Sequence, residues 1–127
     1  MSKIQRFEDL EVWQNAMEIA VEIYKISSTG KLSKDFGLKD QITRAAISIS
    51  NNISEGYEYD NTKDFIKFLR YAKGSTGEVR NILNLLTRIE FIEKSKYTAL
   101  YNNLIALSKQ IYGFMKYLEN YNKNKNL

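Results

Sequence analysis

Five polar side chains in the middle of the chain have the types and the spacing to act together. Gln41, Arg44, Ser48, Asn52 and Glu55 follow one another at intervals of three, four, four and three residues, so they form one line along a helix of about 3.6 residues per turn. An apolar line lies beside them and consists of Leu38, Ile42, Ala45, Ala46, Ile49 and Ile53. Polar groups beside a buried seam need hydrogen-bonding partners. We therefore expect a neighbouring helix to hold this polar stripe.

The partner of the polar stripe is predicted on the following helix, because a short turn makes the two helices antiparallel. Reflecting Arg44 through that turn reaches a point within one helical turn of Ser75 and Glu78. We predict an Arg44–Glu78 ion pair, with Ser48, Ser75 and Gln41 as neighbours. Two interpretations stay open. These groups fix the register of the helices, as buried ion pairs can, or part of the stripe lines a ligand or oligomer surface.

Catalysis has few candidate residues in this sequence. The chain contains no histidine and no cysteine, which removes the commonest general base, the commonest transition-metal ligand and the cysteine nucleophiles. Glu55 and Glu78 could in principle form an acid–base pair, but each already has a structural role in the stripe. The sequence lacks a Gly-rich phosphate loop and a Glu-x-x-His metal motif. We predict no catalytic residue, metal site, cofactor or small-molecule substrate, and hence no enzyme.

Positive charge gives a second functional signal, with a formal charge of +4. The third predicted helix has a face without acids, made of Lys63, Lys67, Arg70, Lys73, Arg80 and Arg88, and four lysines follow later at Lys109, Lys116, Lys123 and Lys125. Such a face predicts salt-sensitive contacts to the phosphates of RNA or DNA. The alternative is an ordinary solvated helix face. The lack of aromatic residues interleaved on the basic face favours that alternative, since no ring is available to stack on bases.

Apolar periodicity predicts four helices, over about residues 8–27, 37–58, 62–90 and 95–121, with a polar tail at 122–127. The fourth helix keeps a strict heptad, typical of supercoiled packing: Tyr97, Leu100, Leu104, Leu107, Ile111, Phe114, Leu118 and Tyr121. Glu8 or Asp9 is expected to cap the first helix, and Gly30 can adopt the left-handed conformation that ends one. We predict a single domain over residues 1–127, an all-α, antiparallel, up-down-up-down, left-handed four-helix bundle.

Gly74 and Gly77 lie inside the third predicted helix. Each costs about 1 kcal/mol there relative to alanine. Close approach of another backbone would compensate this cost, and the alternative is a kink in the helix.

The first predicted helix has more apolar surface than one interface requires. One apolar line is Leu10, Trp13, Met17, Ala20 and Tyr24, and the other is Val12, Ala16, Ile19, Ile23 and Ile26. Apolar area beyond one core indicates a further contact. This favours an alternative function, a homo-oligomeric adaptor that binds another protein and has no nucleic-acid role.

Cellular location is predicted from missing signals. No apolar run approaches the roughly 18–20 residues that a membrane helix needs, and the first residues lack an apolar signal core. We therefore expect a cytoplasmic protein with no membrane partner.

The residues of the polar stripe belong to a wider pattern. It comprises Phe7–Trp13, Ala16, Ile23–Tyr24, Phe36–Leu38, Gln41, Arg44–Ala46, Ser48–Ile49, Asn52–Ile53, Glu55–Gly56, Phe65, Phe68–Leu69, Ala72, Gly74–Ser75 and Glu78. This pattern resembles the bacterial four-helix-bundle proteins encoded in intervening sequences of 23S ribosomal RNA genes. The chain departs from it at Ser50, where the family often has proline, and at Glu58–Tyr59, where it often has a Gly-Arg pair.

The resemblance implies a homo-oligomeric ring, a homopentamer. A similar accessory protein of diversity-generating retroelements is a basic pentameric ring that works with a reverse transcriptase and nucleic acid. The resemblance brings no established activity for the branch associated with ribosomal RNA. The absence of the arginine at position 59 weakens the inference that the turn between the second and third helices binds phosphate.

Overall fold

The protein is an all-α bundle of four long helices in the computed structural model, which describes residues 3–125. The helices are α1 (Glu11–Ser27), α2 (Phe36–Glu58), α3 (Thr62–Arg88) and α4 (Lys94–Lys125). Short 3₁₀ turns at Phe7–Asp9 and Leu32–Lys34 precede α1 and α2, and no β-strand occurs within the described residues. Because the connections are short, each helix returns antiparallel to the one before it, and the chain forms a single compact domain.

Each helix contributes one apolar side to a common core. Fully buried side chains include Ile23 on α1, Ile49 on α2, Leu83 on α3 and Leu104 on α4. Burying an aliphatic side chain of this size contributes about 1.5–3 kcal/mol. The predicted heptad of α4 is buried over its middle from Leu100 to Ile111, and its last member, Tyr121, is exposed.

Short polar side chains begin α2 and α3. Asp35 Oδ1 accepts a hydrogen bond from the backbone N–H of Leu38 at 3.1 Å. Asn61 Oδ1 accepts one from the N–H of Asp64 at 2.8 Å. Each bond satisfies an amide that the first turn of a helix leaves without a partner. Gly30 adopts the predicted left-handed conformation after α1, with φ at +63°.

The predicted cap of α1 is wrong. Leu10 precedes the helix and makes no side-chain cap, while Asp9 lies in the 3₁₀ turn. The Asp9 carboxylate instead accepts hydrogen bonds from the backbone N–H of Gln5 at 3.1 Å and from Arg6 Nε at 3.5 Å. The Gln5 hydrogen bond lowers the pKa of Asp9 below its ordinary value. Asp9 therefore orders the segment before α1 and leaves the helix end itself uncapped.

Among the glycines, Gly56 is the one where a neighbouring helix approaches closely, and the two glycines of α3 are not such positions. A Cβ atom on Gly56 would lie 2.7 Å from Phe68 Cβ and 3.5 Å from Phe65 Cα. Gly74 has nothing within 4 Å of the corresponding position, and Gly77 has only the end of the Arg80 side chain at 3.6 Å. The expected close backbone approach at Gly74 and Gly77 is therefore wrong, because both lie away from the buried side of α3.

The ends of the helices differ from the prediction by a few residues. The largest difference is at α4, which continues to Lys125 through most of the predicted polar tail. The remaining tail residues, Asn126 and Leu127, lie outside the described range. Within residues 3–125, no helix combines the length and the apolarity that crossing a membrane requires.

Candidate nucleic-acid interface

The basic face of α3 is the set of six residues predicted from the sequence: Lys63, Lys67, Arg70, Lys73, Arg80 and Arg88. Four of them, Lys63, Lys67, Arg70 and Arg88, are exposed, and Lys73 and Arg80 are partly buried. They follow from the amphipathic pattern of α3, since each residue turns the helix by about 100° and the opposite side is buried in the core. The face therefore runs along α3, and one of its two partly buried members, Arg80, lies against Tyr101 of α4.

The charges of this basic face are not neutralised within the described part of the chain. The ion pairs there join Arg6 to Asp9, Lys25 to Glu22, Arg44 to Asp40 and Lys116 to Glu119. None of the six basic residues of α3 has a carboxylate oxygen of a described residue within 4.0 Å. Their charge is consequently available to an anionic partner.

Aromatic rings border the basic face at the end of α3 nearest the α2–α3 turn. Tyr59 stacks on Phe68, with ring centroids 5.1 Å apart and planes inclined by 13°. Phe68 meets Tyr71 edge to face at 5.7 Å, and Lys67 Nζ lies 5.8 Å from the centre of the Phe68 ring. We call Tyr59, Phe68 and Tyr71 the aromatic cluster.

The aromatic cluster corrects an expectation from the sequence. The linear pattern predicts that no ring accompanies the basic residues, because it considers one face of one helix. The structure brings Tyr59 from the end of α2 and adds Phe68 and Tyr71 from the edge of α3. Gly56 permits this arrangement, because it allows α2 to approach α3 at the Phe68 side chain. The sequence pattern of a single helix does not indicate that Tyr59, from the end of α2, meets Phe68 of α3.

The α4 side of the basic face holds a second set of contacts. The guanidinium carbon of Arg80 lies 5.9 Å from the centre of the Tyr101 ring, a cation–π distance. Tyr97 donates a hydrogen bond from its hydroxyl to Asn84 Oδ1 at 3.2 Å. The Tyr101 ring positions Arg80 against α4. The Tyr97–Asn84 hydrogen bond also joins this edge of α3 to α4.

The lysines of α4 divide into two groups. Lys116 binds Glu119 at 3.3 Å, and this hydrogen bond raises the pKa of the Lys116 ammonium. Lys109 and Lys123 are exposed. The described structure gives no position for the side chain of Lys125. The continuous basic surface is therefore on α3.

The middle of the polar stripe is held by hydrogen bonds between serine and asparagine side chains. The hydroxyls of Ser48 on α2 and Ser75 on α3 lie 2.9 Å apart. Asn52 Nδ2 donates to the Ser48 carbonyl at 2.8 Å and lies 3.1 Å from the Ser48 hydroxyl. Ser75 is buried, and Ser48 and Asn52 are partly buried. These three side chains set the level at which α2 and α3 meet.

The ends of the polar stripe point to solvent, and the predicted Arg44–Glu78 ion pair is wrong. The Arg44 side chain is 80% exposed, and its Nε lies 2.9 Å from Asp40 Oδ2 on the same helix. Gln41, Glu55 and Glu78 are also exposed. Arg44 precedes Ser48 by four residues, so their side chains differ by about 40° in direction around α2. Arg44 is thus turned away from the α2–α3 seam that Ser48 faces.

The carboxylates of this region are not arranged for chemistry. Glu55 and Glu78 are both exposed, so neither carboxylate lies in a buried site. In the part of the chain that the structure describes, no group of three or more acidic side chains could hold a metal ion. What the α2–α3 side offers chemically is positive charge, aromatic surface and hydrogen-bonding groups.

A groove lies on the other side of the bundle, between α1 and α4, whose contact is the thinnest between adjacent helices. It has a volume of about 620 Å³, and Val21, Leu100 and Ala106 contribute apolar lining. Asn15 Nδ2 bridges the two helices by a 2.8 Å hydrogen bond to Gln110 Oε1. Of the first apolar line of α1, only Met17 lines this groove, and its last member, Tyr24, is 65% exposed. Part of the apolar surface of α1 is therefore not buried within the bundle.

Known protein families and solved structures include chains similar to this one. Residues 8–113 match the family described as 23S rRNA-intervening sequence protein. The chain belongs to this family. The match includes the polar stripe, the aromatic cluster and the whole basic face of α3, so these features lie within the family domain. No curated protein matches the chain.

A solved structure of similar fold supports the same assignment. It is the crystal structure of a protein with unknown function from the S23 ribosomal protein family of Bacteroides thetaiotaomicron. The two chains are 30% identical and superpose with a TM-score of 0.75, over 83% of this chain and 98% of the other. The 23S rRNA-intervening sequence family and the four-helix fold predicted from the sequence are thereby confirmed. The similarity to accessory proteins of diversity-generating retroelements stays a prediction.

Proposed function

We propose that this member of the 23S rRNA-intervening sequence family is a non-enzymatic, homo-oligomeric scaffold that binds RNA through the basic face of α3. The observation that carries the proposal is the row of six positive side chains without a carboxylate partner among the described residues. Lys and Arg side chains at this density attract phosphates and release the counterions of a nucleic acid. The name of the family, which refers to 23S rRNA, favours RNA over DNA as the partner.

Contacts to phosphate predict a characteristic behaviour of the complex. Binding is largely independent of sequence and weakens steeply with salt, because each neutralised phosphate releases condensed counterions. The mixed surface of the molecule limits the affinity, since exposed acids such as Glu11, Glu18 and Glu22 lie on α1. Repetition of the basic face in a homo-oligomer would increase the affinity, because several weak contacts act on one RNA.

The test is charge reversal at the exposed end of the basic face, in the triple variant Lys63→Glu, Lys67→Glu and Arg70→Glu. We expect binding of a short fluorescent RNA, measured by anisotropy between about 50 and 200 mM salt, to weaken roughly 10-fold or more. The slope of log affinity against log salt should become shallower by about 2, since each phosphate contact of a single strand contributes about 0.7.

A matched control reverses the same number of charges at the opposite end of the bundle. Lys31, Lys34 and Lys94 are exposed near the α1–α2 and α3–α4 connections, so the triple change to glutamate alters net charge equally. This control should keep a salt slope close to that of the parent. An equal loss of binding in both triple variants would mean that net charge alone attracts RNA, and the proposed interface would be wrong.

A second candidate function is a homo-oligomeric adaptor for another protein. The specific observation that favours it is the apolar groove between α1 and α4, with the exposed Val21 in its lining. Exposed apolar surface of this kind commonly marks a protein interface. In this reading the basic face of α3 has no role in nucleic-acid binding, and the two triple variants above bind RNA equally weakly or not at all.

A further inference from the structure

The aromatic cluster has a surface that the fold leaves unused. Tyr59 is 53% exposed and Tyr71 is 50% exposed, although both contact Phe68. Phe68 is partly buried and stacks on one face of Tyr59, so that ring is held in place while part of it remains open to solvent. An ordered ring that is half open offers a flat apolar surface with little conformational entropy to lose on binding.

The backbone around Tyr59 holds the ring at a corner of the bundle. Tyr59 follows the last residue of α2, and Asp60 adopts a left-handed conformation with φ at 59°. Asn61 then caps α3 through the N–H of Asp64. The turn therefore reverses the chain over a few residues and keeps Tyr59 against the first turns of α3, where the basic face begins.

Positive charge surrounds the aromatic cluster on the α3 side. Lys67 Nζ lies 5.8 Å from the Phe68 ring centre, and Lys63 and Arg70 lie one turn before and one turn after Lys67 on the same exposed side. A protein partner that covered these rings would bury the three cations and would need to supply carboxylates. A nucleic acid supplies both parts of a matching surface, because it carries a base to stack on a ring beside a phosphate for the cation.

We propose that the aromatic cluster and its flanking cations form a base-stacking site for single-stranded nucleic acid. The site rests on the proposed RNA-binding function and specifies which form of nucleic acid is bound. The bases of an A-form duplex are stacked on each other and offer no open face, whereas an unpaired base can lie against Tyr59 or Tyr71. Lys63, Lys67 and Arg70 contact the phosphates of the same strand.

The experiment compares two RNA probes of equal length at one salt concentration, a single strand without self-complementarity and a perfect duplex. We expect the parent to bind the single strand roughly 10-fold more tightly, which lies within the range for stacking of one base on an aromatic side chain. The Tyr59→Ala variant should lose this preference by binding the single strand roughly 10-fold less tightly and the duplex as well as the parent does.

Three further variants separate stacking from folding. Tyr59→Phe keeps the ring and should bind like the parent. Tyr59→Leu keeps an apolar contact to Phe68 without a flat ring and should behave like Tyr59→Ala. Tyr24→Ala removes an exposed tyrosine from α1 and should change neither affinity. Circular dichroism of each variant checks that the helices form.

The outcomes distinguish this site from the function on which it depends. If the parent binds both probes equally and the Lys63/Lys67/Arg70 variant still loses binding, the basic face binds RNA and the stacking site is wrong. If the parent binds neither probe at low salt, both proposals are wrong. If Tyr59→Ala changes the mass of the protein in solution and not its RNA affinity, the rings contact protein, and the stacking proposal is overturned.

Discussion

Arg44 and Ser75 show how the position of a polar residue on a helix decides its energetic role. Arg44 is 80% exposed and binds Asp40 one turn earlier on α2. Such exposed pairs contribute only about 0.3–0.5 kcal/mol, because solvent screens the charges. Ser75 is buried and meets the Ser48 hydroxyl at 2.9 Å. A buried hydrogen bond of this kind contributes about 1 kcal/mol, and removing one partner costs the desolvation of the other.

We therefore predict opposite outcomes for two alanine variants, measured by thermal unfolding. Arg44→Ala should change the melting temperature by no more than about 1–2 °C, because alanine also favours helix formation. Ser75→Ala should destabilise the fold by about 1 kcal/mol, or roughly 3–5 °C for a chain of this size. A large loss of stability in Arg44→Ala would contradict the exposed position of Arg44 and would support the buried ion pair predicted from the sequence.

At the scale of the helix, two glycines within long helices differ in their role in packing. Gly56 lies where α2 crosses Phe65 and Phe68 of α3. It permits close packing of these helices and brings Tyr59 onto the Phe68 ring. Gly74 lies on the exposed side of α3 with open space around it. Its cost in helix propensity is not repaid by any packing contact in the described chain.

A pair of alanine substitutions tests this difference. Gly56→Ala should destabilise the protein by about 1–3 kcal/mol, because the new Cβ meets Phe68 Cβ at 2.7 Å and backbone must move. Gly74→Ala should stabilise it by up to about 1 kcal/mol, since the helix gains propensity without a clash. Denaturant unfolding of both variants measures the difference. Loss of stability in Gly74→Ala would mean that another chain contacts α3 at that position.

At the scale of the whole molecule, α1 and α4 close the bundle incompletely. The groove between them leaves Val21 exposed. The basic face of α3 lies on a different side, so self-association through α1 and α4 would leave that face open. A scaffold that assembles by one side and binds RNA by another is compatible with both features.

Self-association predicts a concentration-dependent mass above 14.8 kDa in solution. Sedimentation or light scattering at micromolar concentration should detect an oligomer, and five chains are the number that the family resemblance implies. Val21→Glu should lower the mass, because it places a charge in the apolar groove. Lys31→Glu is a suitable control on an exposed loop. A parent that is a monomer at micromolar concentration would contradict the homo-oligomeric scaffold and the adaptor function alike.

The sequence by itself determined the four helices, their order and most of the core. These follow from apolar periodicity, which is a local property of each segment, and from turn residues such as Gly30 and Asn61. The six basic residues of α3 could also be placed on one face, since a helical repeat suffices to do so. Reflection of Arg44 through the short turn also placed Ser48 and Ser75 in one neighbourhood, although the ion pair predicted there is absent from the described residues.

Only the tertiary structure decided what lies between the helices. Arg44 and Ser48 differ by only about 40° in direction around α2, yet Arg44 extends to solvent while Ser48 meets Ser75, although both belong to one stripe. Tyr59 joins Phe68 because two backbones meet at Gly56, which neither helix specifies alone. Contacts between elements depend on the register and rotation of both partners, and a pattern read along one chain segment contains neither.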